Sequence, residues 1–356
     1  MDILEVLRAA VKYGSSDVHI VPERPPFLRI NGEMKPLNIP PLTKEETQRL
    51  IFGALSEKQI EKFKVESELD TSLQAEGIGR FRINVLEQKD GIGAVLRVIA
   101  ADIPEPAQVG LTDVLIGLTK IPRGMVLVTG PTGSGKSTTL ASMLNLINTE
   151  RREHVLTIED PIEYVYPKRN CVFTQREIGS HSISFKDALK RALRQDPDIV
   201  LIGEMRDLET IGAALTLAET GHLVFATLHT TDAAQTVDRI IDVFPPFQQQ
   251  QVRTQLSVTL KAVICQQLIP KADGKGRVAA REIMIVNSAI ANLIREGKTH
   301  QIYSAIDVGG KIGMKSLDKD LVLLAKQGLI TKEAAMTKCN NPQVVQQMLL
   351  GSGGAV

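Results

Sequence analysis

Tryptophan is absent from this chain of 356 residues, and tyrosine occurs only four times. Proteins that grip single-stranded nucleic acid stack bases on aromatic rings, so this composition argues against that class. No sign of charge dominates either: 42 Lys and Arg stand against 41 Asp and Glu, a formal net charge of +1. That balance removes the global electrostatic case for nucleic acid or an anionic membrane. No apolar run approaches the roughly 20 residues that a helix needs to cross a bilayer. The start, "MDILEVLRAAVKYG", carries charges throughout where a signal peptide would have an apolar core. The three cysteines, Cys171, Cys265 and Cys339, lie far apart with no C-x-x-C pair, which argues against a zinc module or a disulfide framework. The expectation is a reduced, soluble, cytoplasmic protein with no membrane span, long enough for two domains.

What is present changes character along the chain. Residues 3–13 place apolar side chains at helical spacing, with Gly14 as the stop. "DVHIV" and "FLRIN" read as short strands. Thr43 with Glu46 three residues on is a capping box for a helix over about 44–53. "IGRFRINVLEQ" and "IGAVLRVIA" alternate on either side of "KDG", a hairpin signal. Residues 1–100 therefore read as a small α+β domain with an antiparallel sheet. Residues 101–115 are expected to link it to the rest, with "ADIPEPAQ" (101–108) as the clearest linker stretch. From 116 the apolar strands "GMVLVTG", "VLTIED", "DIVLIGE" and "HLVFATLH" alternate with helical stretches, the pattern of a parallel sheet covered on both faces. Beyond about 250 the chain is expected to be mostly helical, ending in a loose tail at 351–356.

One stretch names a ligand. "GPTGSGKSTTL" follows a strand and opens a helix, and it fits G-x-x-x-x-G-K-[ST] through Gly130, Gly135, Lys136 and Ser137. Glycines at such a loop let backbone N–H groups wrap phosphate oxygens, and the helix start adds its positive end. Lys136 is expected to reach the β and γ phosphates and Ser137 to ligate Mg²⁺. Pro131, Thr132, Gly133, Ser134 and Thr138 complete the cradle. The implied ligands are ATP and Mg²⁺.

A cradle alone only binds; hydrolysis also needs a carboxylate that orients water. Three strand ends offer polar groups at the edge where α/β sites form. "TIEDPIEY" brings Glu159, Asp160 and Glu163. "DPDIVLIGEMRD" ends four apolar residues in Gly203 and Glu204, with glycine where a Walker B strand usually carries aspartate, which leaves Glu204 as the available acid there. "TGHLVFATLHTTDA" sets His222 and His229 at either end of a strand. These histidines admit two readings, as satisfied structural groups or as sensors of the γ-phosphate or of a neighbouring subunit. The basic helix over 185–198, with Lys186, Lys190, Arg191 and Arg194, is read as a solvated face.

Taken together and in this order, the four motifs resemble the Walker A, Asp-box, Walker B and His-box set of the secretion ATPase superfamily, the hexameric motors of type II and type IV secretion and type IV pili. The resemblance covers nearly the whole chain, including "SSDVHI" at 15–20. It implies a RecA-like P-loop core of α/β class with a smaller, PAS-like N-terminal α+β domain. Two features resemble the pilus-retraction (PilT-like) branch: there is no four-cysteine module, and "AIANLIREGKTHQI" (289–302) is close to the signature AIRNLIRE, with Ala291 in place of its arginine. The family implies Glu163 and Glu204 around the attacking water and Mg²⁺, with Glu163 favoured as base. It also implies small-domain arginines, here Arg80, Arg82 and Arg97, that swing onto the γ-phosphate. Arg80 and Arg82 share a strand face, and Arg97 lies on the paired strand, so their charges repel unless an anion joins them; a solvated basic edge is the plainer alternative. The implied partners are five further copies in a homo-hexamer, an inner-membrane platform protein at whose cytoplasmic face the ring works, and through it pilin. An assembly or secretion ATPase, a RecA-like nucleic-acid motor and a non-catalytic regulator are the rival readings.

Overall fold

The computed structural model describes residues 2–99 and 102–350. The expected start of the linker at Ala101 and the tail at 351–356 lie outside the described residues. The chain forms two compact units: residues 1–102 with 161–165, and residues 103–160 with 166–356.

The smaller unit begins with α1 (Ile3–Lys12). Asp2 caps it in a capping box with Glu5, and Ile3, Val6, Leu7 and Ala10 form its buried stripe. Strands β1 (Asp17–Ile20), β2 (Phe27–Ile30) and β3 (Glu33–Pro36) follow, then α2 (Lys44–Phe52), α3 (Glu57–Glu66), β4 (Glu68–Ala75), β5 (Gly79–Gln88) and β6 (Gly91–Ile99). The Thr43–Glu46 capping box at the start of α2 is present. The six strands make one sheet, ordered β3-β2-β1-β6-β5-β4, and every neighbouring pair is antiparallel. Side chains alternate along each strand. Val18, Ile20, Phe81, Ile83, Val85, Ala94 and Leu96 therefore share the core with the stripe of α1.

The larger unit carries α4 (Asp113–Leu118), β7 (Gly124–Thr129), α5 (Lys136–Glu150), β8 (His154–Glu159), β9 (Val172–Glu177), α6 (Phe185–Ala192), β10 (Ile199–Ile202), α7 (Leu208–Glu219), β11 (Leu223–Leu228), α8 (Ala233–Asp242), α9 (Pro246–Thr259), β12 (Leu260–Pro270) and β13 (Arg277–Ile285). Helices α10 (Ser288–Glu296), α11 (Ile302–Val308), α12 (Leu317–Lys326), α13 (Lys332–Lys338) and α14 (Pro342–Leu350) complete it. Its seven strands run β13-β12-β7-β11-β10-β8-β9. All are parallel except the edge strand β13. Strands β7, β10 and β11 are buried at every position, as helices on both faces require. Two hydrophobic clusters, one on each face of this sheet, form the core.

The helical reading beyond 250 needs a correction. Strands β12 and β13 occupy much of 260–285, and β12 lies directly against β7. "AVIC" is a short apolar run, and such a run does not separate a buried strand from a buried helix by period alone. From residue 288 to residue 350 the elements are all helices. Cys171 and Cys265 are buried and Cys339 half-buried, and all three are free thiols.

Candidate functional site: a phosphate loop and an acidic strand edge

Because β7, β11, β10 and β8 are parallel neighbours, their carboxyl ends lie on one edge of the sheet. The residues that follow those ends gather there: the loop 130–135 after β7, His229 after β11, Gly203 and Glu204 after β10, and Glu159 with Asp160 at β8. This is the edge at which such sheets hold ligands.

The loop is shaped by backbone that few residues adopt. Gly130 has φ of 140° and Gly135 φ of 84°. A Cβ at Gly130 would lie 2.2 Å from the Gln266 carbonyl oxygen, so no side chain fits. Gly135 is the N-cap of α5, and Lys136, Ser137 and Thr138 form its half-buried first turn. Pro131, Thr132 and Gly133 are exposed, and Ser134 is buried. Lys136 Nζ donates to the carbonyls of Gly130 at 2.9 Å and Pro131 at 3.2 Å. The ammonium is thus held over the loop it is expected to serve.

Glu204 has a guanidinium and an imidazole within hydrogen-bond reach. Arg206 Nη2 lies 2.6 Å from Oε2, and His229 Nε2 lies 2.9 Å from Oε1. Burial pushes this carboxyl up, but the Arg206 hydrogen bond and charge, with His229, more than offset it and hold it below the ordinary value. The Arg206 guanidinium is raised in turn, chiefly by Glu204, with Asp160 adding to its field. Glu159 is buried and accepts from Thr157 Oγ1 at 2.6 Å. The pairing of Arg206 with Glu204 is not evident from the motifs, although the arginine stands two positions after the acid in "GEMRD".

His222 is not brought to this edge. It precedes β11, and its Nδ1 lies 2.9 Å from the Leu217 carbonyl at the end of α7. A residue before a parallel strand sits at the opposite edge from one after it, so the fold separates His222 from the loop of its own chain and gives it a structural partner. His229 alone of the pair joins the loop's edge. Glu163 is exposed and lies in the stretch 161–165 that belongs to the smaller unit.

In the smaller unit, the face of the sheet away from the core carries the arginines. Register sets one row across neighbouring strands: Arg29, Asp17, Arg97 and Arg82 are successive cross-strand partners. The expected cluster of like charges is therefore not left without an anion. Asp17, 6 % exposed, accepts from Arg97 Nε at 2.8 Å and lies 3.9 Å from Arg29 Nε. Arg80 donates to Ser72 Oγ at 2.7 Å and to the Ile162 carbonyl at 3.2 Å. Arg82 is exposed. Asp17 stood in the quoted stretch "SSDVHI", but only strand pairing reveals that it faces Arg97.

The chain matches the family model described as type II/IV secretion system protein over residues 1–304. It is 50% identical over 343 residues to the type IV pilus retractation ATPase PilT of Pseudomonas aeruginosa, covering 96% of this chain and 99% of that protein. It is 46% identical over 341 residues to a twitching motility protein of Neisseria gonorrhoeae, covering 96% of this chain and 91% of the relative. Among solved structures, the pilus retraction motor PilT with bound ADP superposes with a TM-score of 0.91 at 47% identity, covering 98% of this chain and 99% of that one.

Proposed function

The chain belongs to the type II/IV secretion system protein family, and from that premise we propose that it is a motor ATPase that powers type IV pilus retraction. The observation that carries the ATPase reading is the loop between β7 and α5, where glycines with positive φ precede Lys136 at a helix start. Such a loop turns N–H groups toward phosphate oxygens and places a lysine on them. The retraction reading is supported by the names of the relatives and by the ADP in the similar structure.

In this reading Lys136 and the loop amides hold the phosphates. Arg206 and His229 favour the ionised form of Glu204, and a carboxylate can accept a hydrogen bond from water or share a cation. A serine hydroxyl and a carboxylate are hard oxygen donors of the kind Mg²⁺ takes. Among the described residues no group of three or more His, Cys, Asp or Glu could hold a metal by itself, and Mg²⁺ usually takes one or two protein oxygens together with substrate phosphates. Ser137 and Glu204 are the residues proposed to hold it, where it would neutralise charge developing on the phosphates. Glu163 is proposed as the base, and Arg80, Arg82 and Arg97 as groups that meet the γ-phosphate during the cycle. Release of that anion would free their charges and trigger a hinge transition near 101–108.

No helix of the described residues is long and apolar enough to cross a membrane. A homo-hexamer that acts on a platform protein at the cytoplasmic face of the inner membrane, and through it on pilin, completes the proposal. The direct test is phosphate release by purified protein. Lys136→Ala should reduce turnover by at least about 100-fold, the scale of losing a charged transition-state contact. Undiminished turnover in that variant would remove the loop from the catalytic role.

A further inference from the structure

We propose that Gln266 and Arg281 form a positioning relay between the phosphate loop and the first segment of the larger unit, residues 103–112, so that nucleotide at the loop alters the order of that segment. The inference rests on the nucleotide reading of the loop.

The loop end of the relay is the Gln266 amide. Gln266 lies on β12, 2 % exposed. Its Nε2 donates to the Ser134 carbonyl at 2.6 Å, inside the loop. Its Oε1 accepts from Thr139 Oγ1 on α5 at 2.9 Å and from Arg281 Nε at 2.8 Å. These partners fix which way the amide points, because a flip would set its NH₂ against a guanidinium and its oxygen against a carbonyl. The same residue also shapes the loop sterically. Its backbone oxygen is what forbids a Cβ at Gly130, and its Nε2 would stand 3.0 Å from a Cβ at Gly135. Gln266 thus touches both glycines that the motif requires, a carbonyl between them and the helix behind them.

The other end is Arg281, the register partner of Gln266 on β13 and 5 % exposed. Beyond Gln266 its guanidinium donates to two backbone carbonyls, Gly110 at 2.8 Å and Val109 at 2.6 Å. All three acceptors are neutral. The Asp320 carboxylate accepts the Arg281 backbone N–H at 2.7 Å and pairs with Lys315. Burial lowers the Arg281 guanidinium to about 10 even with the Asp320 charge opposing it, and an apolar side chain of similar size in place of such a buried charge would commonly be as stable or more so. Packing alone therefore does not account for an arginine here. What it does is tie residues 109 and 110 to the amide that braces the loop. Ile103 and Val109 pack on the adjoining hydrophobic cluster, so a shift in those carbonyls would move side chains within the segment that opens the larger unit.

Gln266→Glu separates positioning from support. It keeps the acceptor for Thr139 and gains an ionic partner for Arg281, but it loses the donor to Ser134 and sets a carboxylate oxygen against that carbonyl. The melting temperature should not fall, while affinity for mant-ADP should fall about tenfold, the equivalent of one lost hydrogen bond. Unchanged affinity in the folded variant would overturn the loop end of the relay. If that variant does not fold, Thr139→Val removes a single bond to the same oxygen and is read in the same assay. The far end is read by hydrogen exchange over 103–112 in the full chain, with and without ADP. The wild type should show a change in protection, and Arg281→Met should bind mant-ADP yet lose that change. An undiminished response in Arg281→Met, or none in a wild type that binds ADP, overturns the relay alone. A wild type that binds no ADP overturns the nucleotide reading and the relay with it.

Discussion

Glu204 and Glu282 are acids at least partly withdrawn from water whose carboxyl groups are pushed in opposite directions from the ordinary value. Glu204 has Arg206 and His229 within hydrogen-bond reach, and its carboxyl falls below the ordinary value. Glu282, 2 % exposed on β13, accepts from the Ala233 N–H at 2.8 Å, and the Leu317 backbone also favours its ionised form, but no cation pairs with it among the described residues. Burial first, then the charges of Asp232 and Asp318, push it up to about 7. An acid raised on folding holds its proton longer in the folded chain than in the unfolded one. Stability then falls as pH rises from the unfolded value toward the folded value, and levels off above it. Between 4.5 and about 7, at about 1.4 kcal/mol per pH unit, the ceiling is about 3 kcal/mol. Glu282→Gln removes the titration. Its melting temperature relative to the wild type should climb between pH 5 and pH 7 and stay level above, as thermal melts across that range would show. A difference that does not vary with pH would mean that Glu282 is ionised throughout. At this scale the sequence disclosed Glu204, because four apolar residues and a glycine aim it at a strand end. It could not disclose Glu282, whose burial depends on α8 and on β12 packing against its strand.

Elements were legible where their period was strong. The capped helices α1 and α2, the hairpin of β5 and β6, and the buried strands β7, β8, β10 and β11 all stood out. Helix α3 did not, since "EKQIEKFKVE" buries only Phe63 and its clearest signal is the Ser56–Gln59 cap. Strand β12 did not either, because a strand covered on both faces lacks alternation. Helix α10 shows what an element reading can add. Asn287 caps it, Ile290 and Ile294 are buried, Ala291 is half-buried, and Asn292, Arg295 and Glu296 are exposed. The isoleucines hold the helix on the core, and the polar face is exposed. Asn292 Nδ2 donates to Glu296 Oε1 at 2.8 Å and so orders that face. If the polar face transmits force rather than supporting catalysis, Arg295→Ala should leave phosphate release within about twofold of wild type, as a surface change far from a buried feature does. Twitching on agar should nevertheless be lost in a strain that carries it. Loss of both together would instead place this face in the assembly of the working ring.

At the scale of the whole molecule, the two units are not two consecutive lengths of chain. Residues 161–165 belong to the smaller unit, while the residues on either side belong to the larger. The motif "TIEDPIEY" is therefore divided: Glu159 and Asp160 end a strand of the nucleotide-binding sheet, and Glu163 stands with the unit that carries the arginine row. Composition could expose a proline-rich stretch at 101–108, but a contiguous motif gives no sign that its two halves belong to different bodies. A motor needs such a division, since chemistry at one unit must be felt by another, and the direction of the resulting work is what distinguishes retraction from assembly. Those two directions make opposite predictions for the cell. Deleting the gene from a piliated strain should raise the number of surface fibres and abolish twitching if the motor withdraws pilin, because extension then runs unopposed. An assembly motor would leave the surface bare. Complementation with Lys136→Ala should reproduce the deletion despite normal protein levels, which ties fibre accumulation to the phosphate loop. Electron microscopy that counts fibres per cell in the three strains decides the matter, and bare cells after deletion would reverse the proposed direction of work.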